Sequence, residues 1–174
     1  MHSMDLQPIT LSNQERERLQ NLWKVMQSAI PIVQRIYALS SQLRIHPESS
    51  HVDGMILYYR AVSELAYGHA RAKGGIRRAY NGFYSHEVQK NMVMWIGGYR
   101  QFSQQTTVLL DNVSNNVNGS EAKQIIQQLN HSLQENDKKV RKALSRAKDF
   151  FGQEQFKKIQ MEIMKDMTIT SNPM

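Results

Sequence analysis

Beginning at Leu19, apolar residues recur at Leu22, Trp23, Met26, Ile30, Val33, Ile36, Tyr37 and Leu43. Steps of three and four mark one face of a long helix. Its start is signalled by Ser12 and Glu15, which have the spacing of a capping box: the serine oxygen accepts a backbone N–H and the glutamate reaches back. Pro31 falls in the interior. There it removes a hydrogen bond and crowds the preceding turn, which predicts a kink or a split into two helices. His46 to Gly54, with Pro47 and two serines, reads as a loop. A second helix is predicted from about Met55 to Lys73. Its apolar residues Met55, Ile56, Tyr58, Tyr59, Val62, Leu65 and Ala66 cover more than one stripe, which suggests burial on two sides. Gly74-Gly75 is expected to end it. Residues 76–84 are ambiguous between short helix and loop, with a turn at Asn81-Gly82.

Ser85 and Glu87 open a third helix. Its face is Val88, Met92, Trp95, Ile96, Tyr99, Phe102, Thr106, Leu109, Leu110 and Val113. Gly97-Gly98 interrupts that face, and two interior glycines cost about 2 kcal/mol relative to alanines, so a kink or a close helix crossing is expected there. After a turn at residues 115–119, Ser120 and Glu121 begin a fourth helix. Ile125, Ile126, Leu129, Leu133, Val140, Leu144, Ala147 and Phe151 face inward and Gly152 ends it. A last helix, about Gln153 to Asp166, carries Phe156, Ile159, Ile163, Met164 and Met167. The expected fold is all-α: an antiparallel bundle of four to five helices, with the first, third and fourth long. One helical-bundle domain should occupy residues 12–168, between flexible termini at 1–11 and 169–174.

Composition narrows the function classes. The 174 residues contain no cysteine, so disulfides and thiolate metal sites are excluded and a reducing, cytoplasmic setting is the simplest fit. No run of about 18 apolar residues exists to span a bilayer, and the first ten residues lack the features of a signal peptide. The net charge of +7 is unevenly spread. Residues 1–54 carry five basic and five acidic side chains, 55–137 eight and six, and 138–174 nine and four. Such a balance favours nucleic acid, an anionic surface or an acidic protein as partner.

Two basic clusters stand out. In the first, Tyr67, His69, Arg71, Lys73, Arg77, Arg78, Tyr80, Tyr84, His86 and Lys90 crowd around four glycines, with Glu87 the only acid. Cations neutralise phosphates and tyrosines stack on bases. The plainer reading is a helix C-terminus whose basic residues complement the macrodipole. The second cluster, Lys138, Lys139, Arg141, Lys142, Arg146 and Lys148, lies on the fourth helix. Glu135–Lys139 and Asp137–Arg141 have the favourable four-residue spacing of surface pairs, so a solvated face is the plainer reading here too. Lys142 and Arg146 are left over.

Other chemistry is weakly signalled. His69 with Lys73 and Gly74 has the wrong spacing for a histidine phosphotransfer helix. His46, His51, Glu48 and Asp53 share a loop but lack helical ligand placement, so no metal or cofactor is expected. There is no nucleophile elbow and no His-Glu-x-x-His, so an enzyme ranks third among the readings. The layout resembles that of small basic four-helix-bundle proteins of the intervening-sequence-encoded and retroelement-accessory kinds. In those a Pro-bearing loop follows the first helix and Arg-Ala opens part of the second; here His46-Pro47 and Arg60-Ala61 occupy corresponding places. The likeness is architectural, and no family or site is carried over from it.

The reading that follows is a non-enzymatic protein whose basic surface contacts nucleic acid or a nucleoprotein assembly. Its candidate contacts are Arg71, Lys73, Arg77, Arg78, Tyr80, Tyr84, Lys90, Lys138, Arg141, Lys142 and Arg146. The alternative is an adaptor that binds a protein, or itself as a homo-oligomer, through an apolar helix face such as that of the last helix.

Overall fold

The computed structural model describes residues 9–171. Five helices and no strand are found among them: α1 (Asn13–Ile45), α2 (Met55–Tyr80), α3 (His86–Ser114), α4 (Ser120–Phe151) and α5 (Gln153–Ser171). The expected bundle is therefore present. Residues 1–8 and 172–174, assigned above to flexible termini, lie outside the described residues. Ile9 and Leu11 are tied down: the Ile9 N–H donates to the Tyr84 carbonyl, and Leu11 packs on the core.

The two serine caps form as the sequence predicts. Ser12 Oγ accepts from the Glu15 N–H at 3.1 Å while the Glu15 carboxylate accepts from the Ser12 N–H at 3.0 Å. Ser85 Oγ accepts from the Val88 N–H at 3.2 Å. Three other expectations need correction. Pro31 does not split α1, which runs unbroken through it; the proline is exposed, so the Gln27 carbonyl it leaves without a helical donor can turn to water. Gly74-Gly75 does not end α2, which continues to Tyr80 and stops at the Asn81-Gly82 turn, where Gly82 has φ +94°. Ile56 does not face the core; it is 84% exposed.

Gly75 stays helical because α3 needs the space. A Cβ on Gly75 would lie 3.2 Å from Met92 Cγ, and one on Gly68, two turns earlier, 3.6 Å from the Tyr99 backbone. The close crossing is thus α2 over α3 at Gly68 and Gly75. At Gly97-Gly98, where a crossing or kink was expected, α3 continues and nothing approaches within 4 Å.

Helices α1 to α4 form a ring in which α1 touches α2 and α4, and α3 touches α2 and α4. The backbones of the diagonal pairs, α1 with α3 and α2 with α4, do not approach closely. α5 packs on α3 and α4 through Phe156 and Ile159, and runs parallel to α3 through His86–Glu162 (3.1 Å) and Lys90–Asp166 (2.7 Å).

Buried polar contacts fix the sliding of neighbours. Tyr99 donates to Asn136 Oδ1 at 2.5 Å, and Asn136 Nδ2 donates to Ser103 Oγ at 2.9 Å, which locks α3 to α4. Ser40 and Tyr58 share a hydrogen bond of 2.6 Å between α1 and α2. His69 Nε2 donates to the Met26 carbonyl at 2.9 Å, and its ring packs edge-on against Tyr99.

Two predictions follow from this packing. Burial pushes the His69 imidazole down from 6.5 to about 4, so between those values the unfolded chain takes up a proton that the folded chain refuses. Stability present above pH 6.5 is lost as pH falls toward 4, by about 3 kcal/mol at pH 4. Urea unfolding across that window measures it, and His69→Gln should flatten the dependence. Gly97→Ala and Gly98→Ala should each stabilise by about 0.5–1 kcal/mol, whereas Gly75→Leu should destabilise by about 1–3 kcal/mol through overpacking.

Candidate nucleic-acid interface

The ring arrangement divides the first basic cluster between α2 and the start of α3, while the second lies on α4, whose backbone does not approach that of α2. The α4 cluster finds cations elsewhere. Helices α1 and α4 run antiparallel: Arg35 pairs with Glu135 at 3.4 Å, and His46 at the far end of α1 lies 3.3 Å from Glu121 near the start of α4. Toward the other end of this seam the pairing stops. There Arg18, Asn21, Lys24, Val25 and Ser28 of α1 face Lys139, Lys142, Arg146 and Asp149 of α4 across a cleft of about 400 Å³. Five cations line it with one carboxylate.

The local sequence explains this asymmetry. On α4, Val140, Ala143 and Ala147 are buried, which sends Lys139, Lys142 and Arg146 to the flanks. On α1, Leu22, Val25 and Ala29 are buried, which leaves Arg18, Asn21 and Ser28 on the flank facing α4. Small side chains on both buried faces let the helices approach, and the long cationic stems rise on either side. The expected Glu135–Lys139 pair is not made; Glu135 accepts from Arg35 instead and lies 2.7 Å from His131 Nε2. That frees Lys139 for the cleft. Arg18, Lys24, Lys139 and Lys142 make no ion pair among the described residues, while Arg146 reaches Asp149 at 3.4 Å.

The other sequence candidates are dispersed. Arg141 is held by Asp137 at 2.7 Å, and Lys138 opens into the α3–α4 groove near Asp111 and Asp137. Lys90 is bound to Asp166, whose carboxylate raises the lysine's pKa. Tyr84 is only 3% exposed, packs edge-on against Phe150 at 5.6 Å, and has its hydroxyl pKa raised by burial. It is not placed to stack on a base. Arg71 lies over the Tyr67 ring at 4.0 Å and donates to its hydroxyl at 2.8 Å. Lys73 borders the α1–α2 groove beside Tyr37, and Arg78 is exposed. Arg77 and Tyr80 share a separate slot between α1 and α2 with Gln20 and Trp23.

Arg18 and Lys24 were missed because they sit in a segment of zero net charge. The signal available was positional: Arg18, Asn21, Lys24 and Ser28 follow one edge of the apolar stripe. His69, considered for phosphotransfer, is buried and donates to the Met26 carbonyl, at the base of the α1–α2 groove that Lys73 also lines. No group of three potential metal-ligating residues occurs among the described residues, and none of their helices is long and apolar enough to cross a membrane.

No protein-family model, curated protein or solved structure matches this chain.

Proposed function

We propose that this bundle is a non-enzymatic binding protein that holds nucleic acid by its phosphates in the α1–α4 cleft. The observation that carries the reading is the convergence of Arg18, Lys24, Lys139, Lys142 and Arg146 on one cleft, opposed only by Asp149. Like charges held side by side repel, and a polyanion relieves that repulsion while releasing its own counterions. Asn21 and Ser28 add neutral donors suited to phosphate oxygens. The cleft has no aromatic wall, so its contacts are to the backbone and carry no base readout.

A second reading, docking of a protein, draws on α5. Phe156 and Ile159 anchor that helix, but Met161, Met164 and Met167 are each more than 60% exposed. A mass that rises with concentration, with no response to nucleic acid, would favour it.

Five phosphate contacts predict that affinity for a labelled oligonucleotide falls about 10²- to 10³-fold between about 50 and 200 mM salt, measured by fluorescence anisotropy. Combined Lys24→Glu, Lys142→Glu and Arg146→Glu should reduce the logarithmic salt slope by about 2–3 and leave helicity intact. Lys138→Glu, outside the cleft, should change little. Absence of binding at low salt, or a slope indifferent to the triple variant, would sink the proposal. Asp149→Asn removes the cleft's carboxylate and should tighten binding a few-fold, read in the same titration.

A further inference from the structure

We infer that the slot on the opposite flank of α1 receives an unstacked nucleobase, so that the ligand of this protein is single-stranded. This rests on the cleft reading above and adds a base site to it.

The slot encloses about 320 Å³ between α1 and the last turns of α2, lined by Gln20, Trp23, Ile76, Arg77, Tyr80 and Asn81. That volume falls within the roughly 300–1,000 Å³ typical of small-molecule sites. Ile76 is fully buried and forms an apolar floor. Trp23, half-buried, and Tyr80, 39% exposed, supply the aromatic surfaces that the phosphate cleft lacks. Every base has a π-face that stacks on such rings. Gln20 and Asn81 each carry both a donor group and an acceptor in their carboxamides, matching the mixed edge of a base without requiring one fixed pattern. The charges at the rim are cationic: Arg77 lines the slot, and the Arg16 guanidinium lies 4.8 Å from the Tyr80 ring centroid. No carboxylate lines it.

Slot and cleft belong to the same turns of one helix. Gln20 and Trp23 open to the slot, while their sequence neighbours Asn21 and Lys24 open to the cleft. The two are separated by about the 10–12 Å width of a helix with its side chains. A single strand laid across α1 can leave phosphates among Lys24, Lys142 and Arg146 and turn a base in against Trp23 and Tyr80. A duplex would first have to unpair and unstack that base, at a cost of a few kcal/mol.

The experiment compares three probes on the full chain at low salt: an oligo-dT of about twelve nucleotides, an abasic strand of equal length and a duplex of equal length. The oligo-dT should bind about 5- to 100-fold tighter than the abasic strand, the range of a single stacked base. Tyr80→Ala should remove most of that difference while leaving abasic binding unchanged. In a Trp95→Phe background Trp23 is the sole tryptophan, and oligo-dT, unlike the abasic strand, should quench it. Equal binding of oligo-dT and abasic strand, or an unchanged preference in Tyr80→Ala, overturns the base slot and leaves the phosphate cleft standing. Failure of all three probes to bind overturns both.

Discussion

The apolar seam between α1 and α4 makes the rest of the surface possible. Leu22, Val25, Ala29 and Ile32 on one helix, and Val140, Ala143 and Ala147 on the other, are withdrawn from water. Each buried leucine, valine or isoleucine contributes about 1.5–3 kcal/mol, and each alanine about 0.8 kcal/mol or less. Repulsion between exposed cations several ångströms apart in water amounts to about 1 kcal/mol or less per pair. Burial therefore wins, and the bundle can hold Arg18 and Lys24 opposite Lys142 and Arg146 without springing open. The unfavourable field that remains is available to whatever neutralises it.

Apolar burial alone does not dictate where along the seam each cation stops, because oily stripes tolerate sliding. Buried polar groups supply the register. A one-turn slip of α3 against α4 would strand the Asn136 carboxamide away from Tyr99 and Ser103, and a slip of α1 against α2 would part Ser40 from Tyr58 and Met26 from His69. Leaving such a group unsatisfied costs about 1–3 kcal/mol. Close contact at Gly68 and Gly75 adds a steric lock between α2 and α3. The heights of the charged side chains on all four helices are inherited from these internal contacts.

Much of the fold was legible because helices announce themselves locally. The three-and-four spacing of apolar residues, the Ser12 and Ser85 caps and the Asn81-Gly82 turn each act within a few residues, and each appears as read. What failed were inferences in which a tertiary contact overrides a local tendency. Gly74-Gly75 looks like a helix end, yet α3 presses Met92 and Trp95 against Gly75 and keeps the chain helical. Pro31 looks like a break, yet the burial of Ile32 and Val33 beyond it continues the helix. The site was less legible for the same reason. Glu135 was expected to serve Lys139 four residues away, and instead serves Arg35, distant in sequence by 100 positions. The sequence pattern showed the α4 cations but not that α1 would join them, since ring order is decided by packing.

Arg35 and Glu135 meet across 100 positions of chain. The walls of the cleft are the first and fourth helices, so the chain must complete three reversals before the cleft exists. The α1–α2 and α3–α4 hairpins can form from near neighbours, whereas closing α1 against α4 carries the entropy of the largest loop in the bundle. A polyanion that bound the closed cleft and not the unfolded chain would therefore stabilise the fold at its least local seam, by linkage. Translation products that stop short of α4 would possess helices but lack one wall of the cleft.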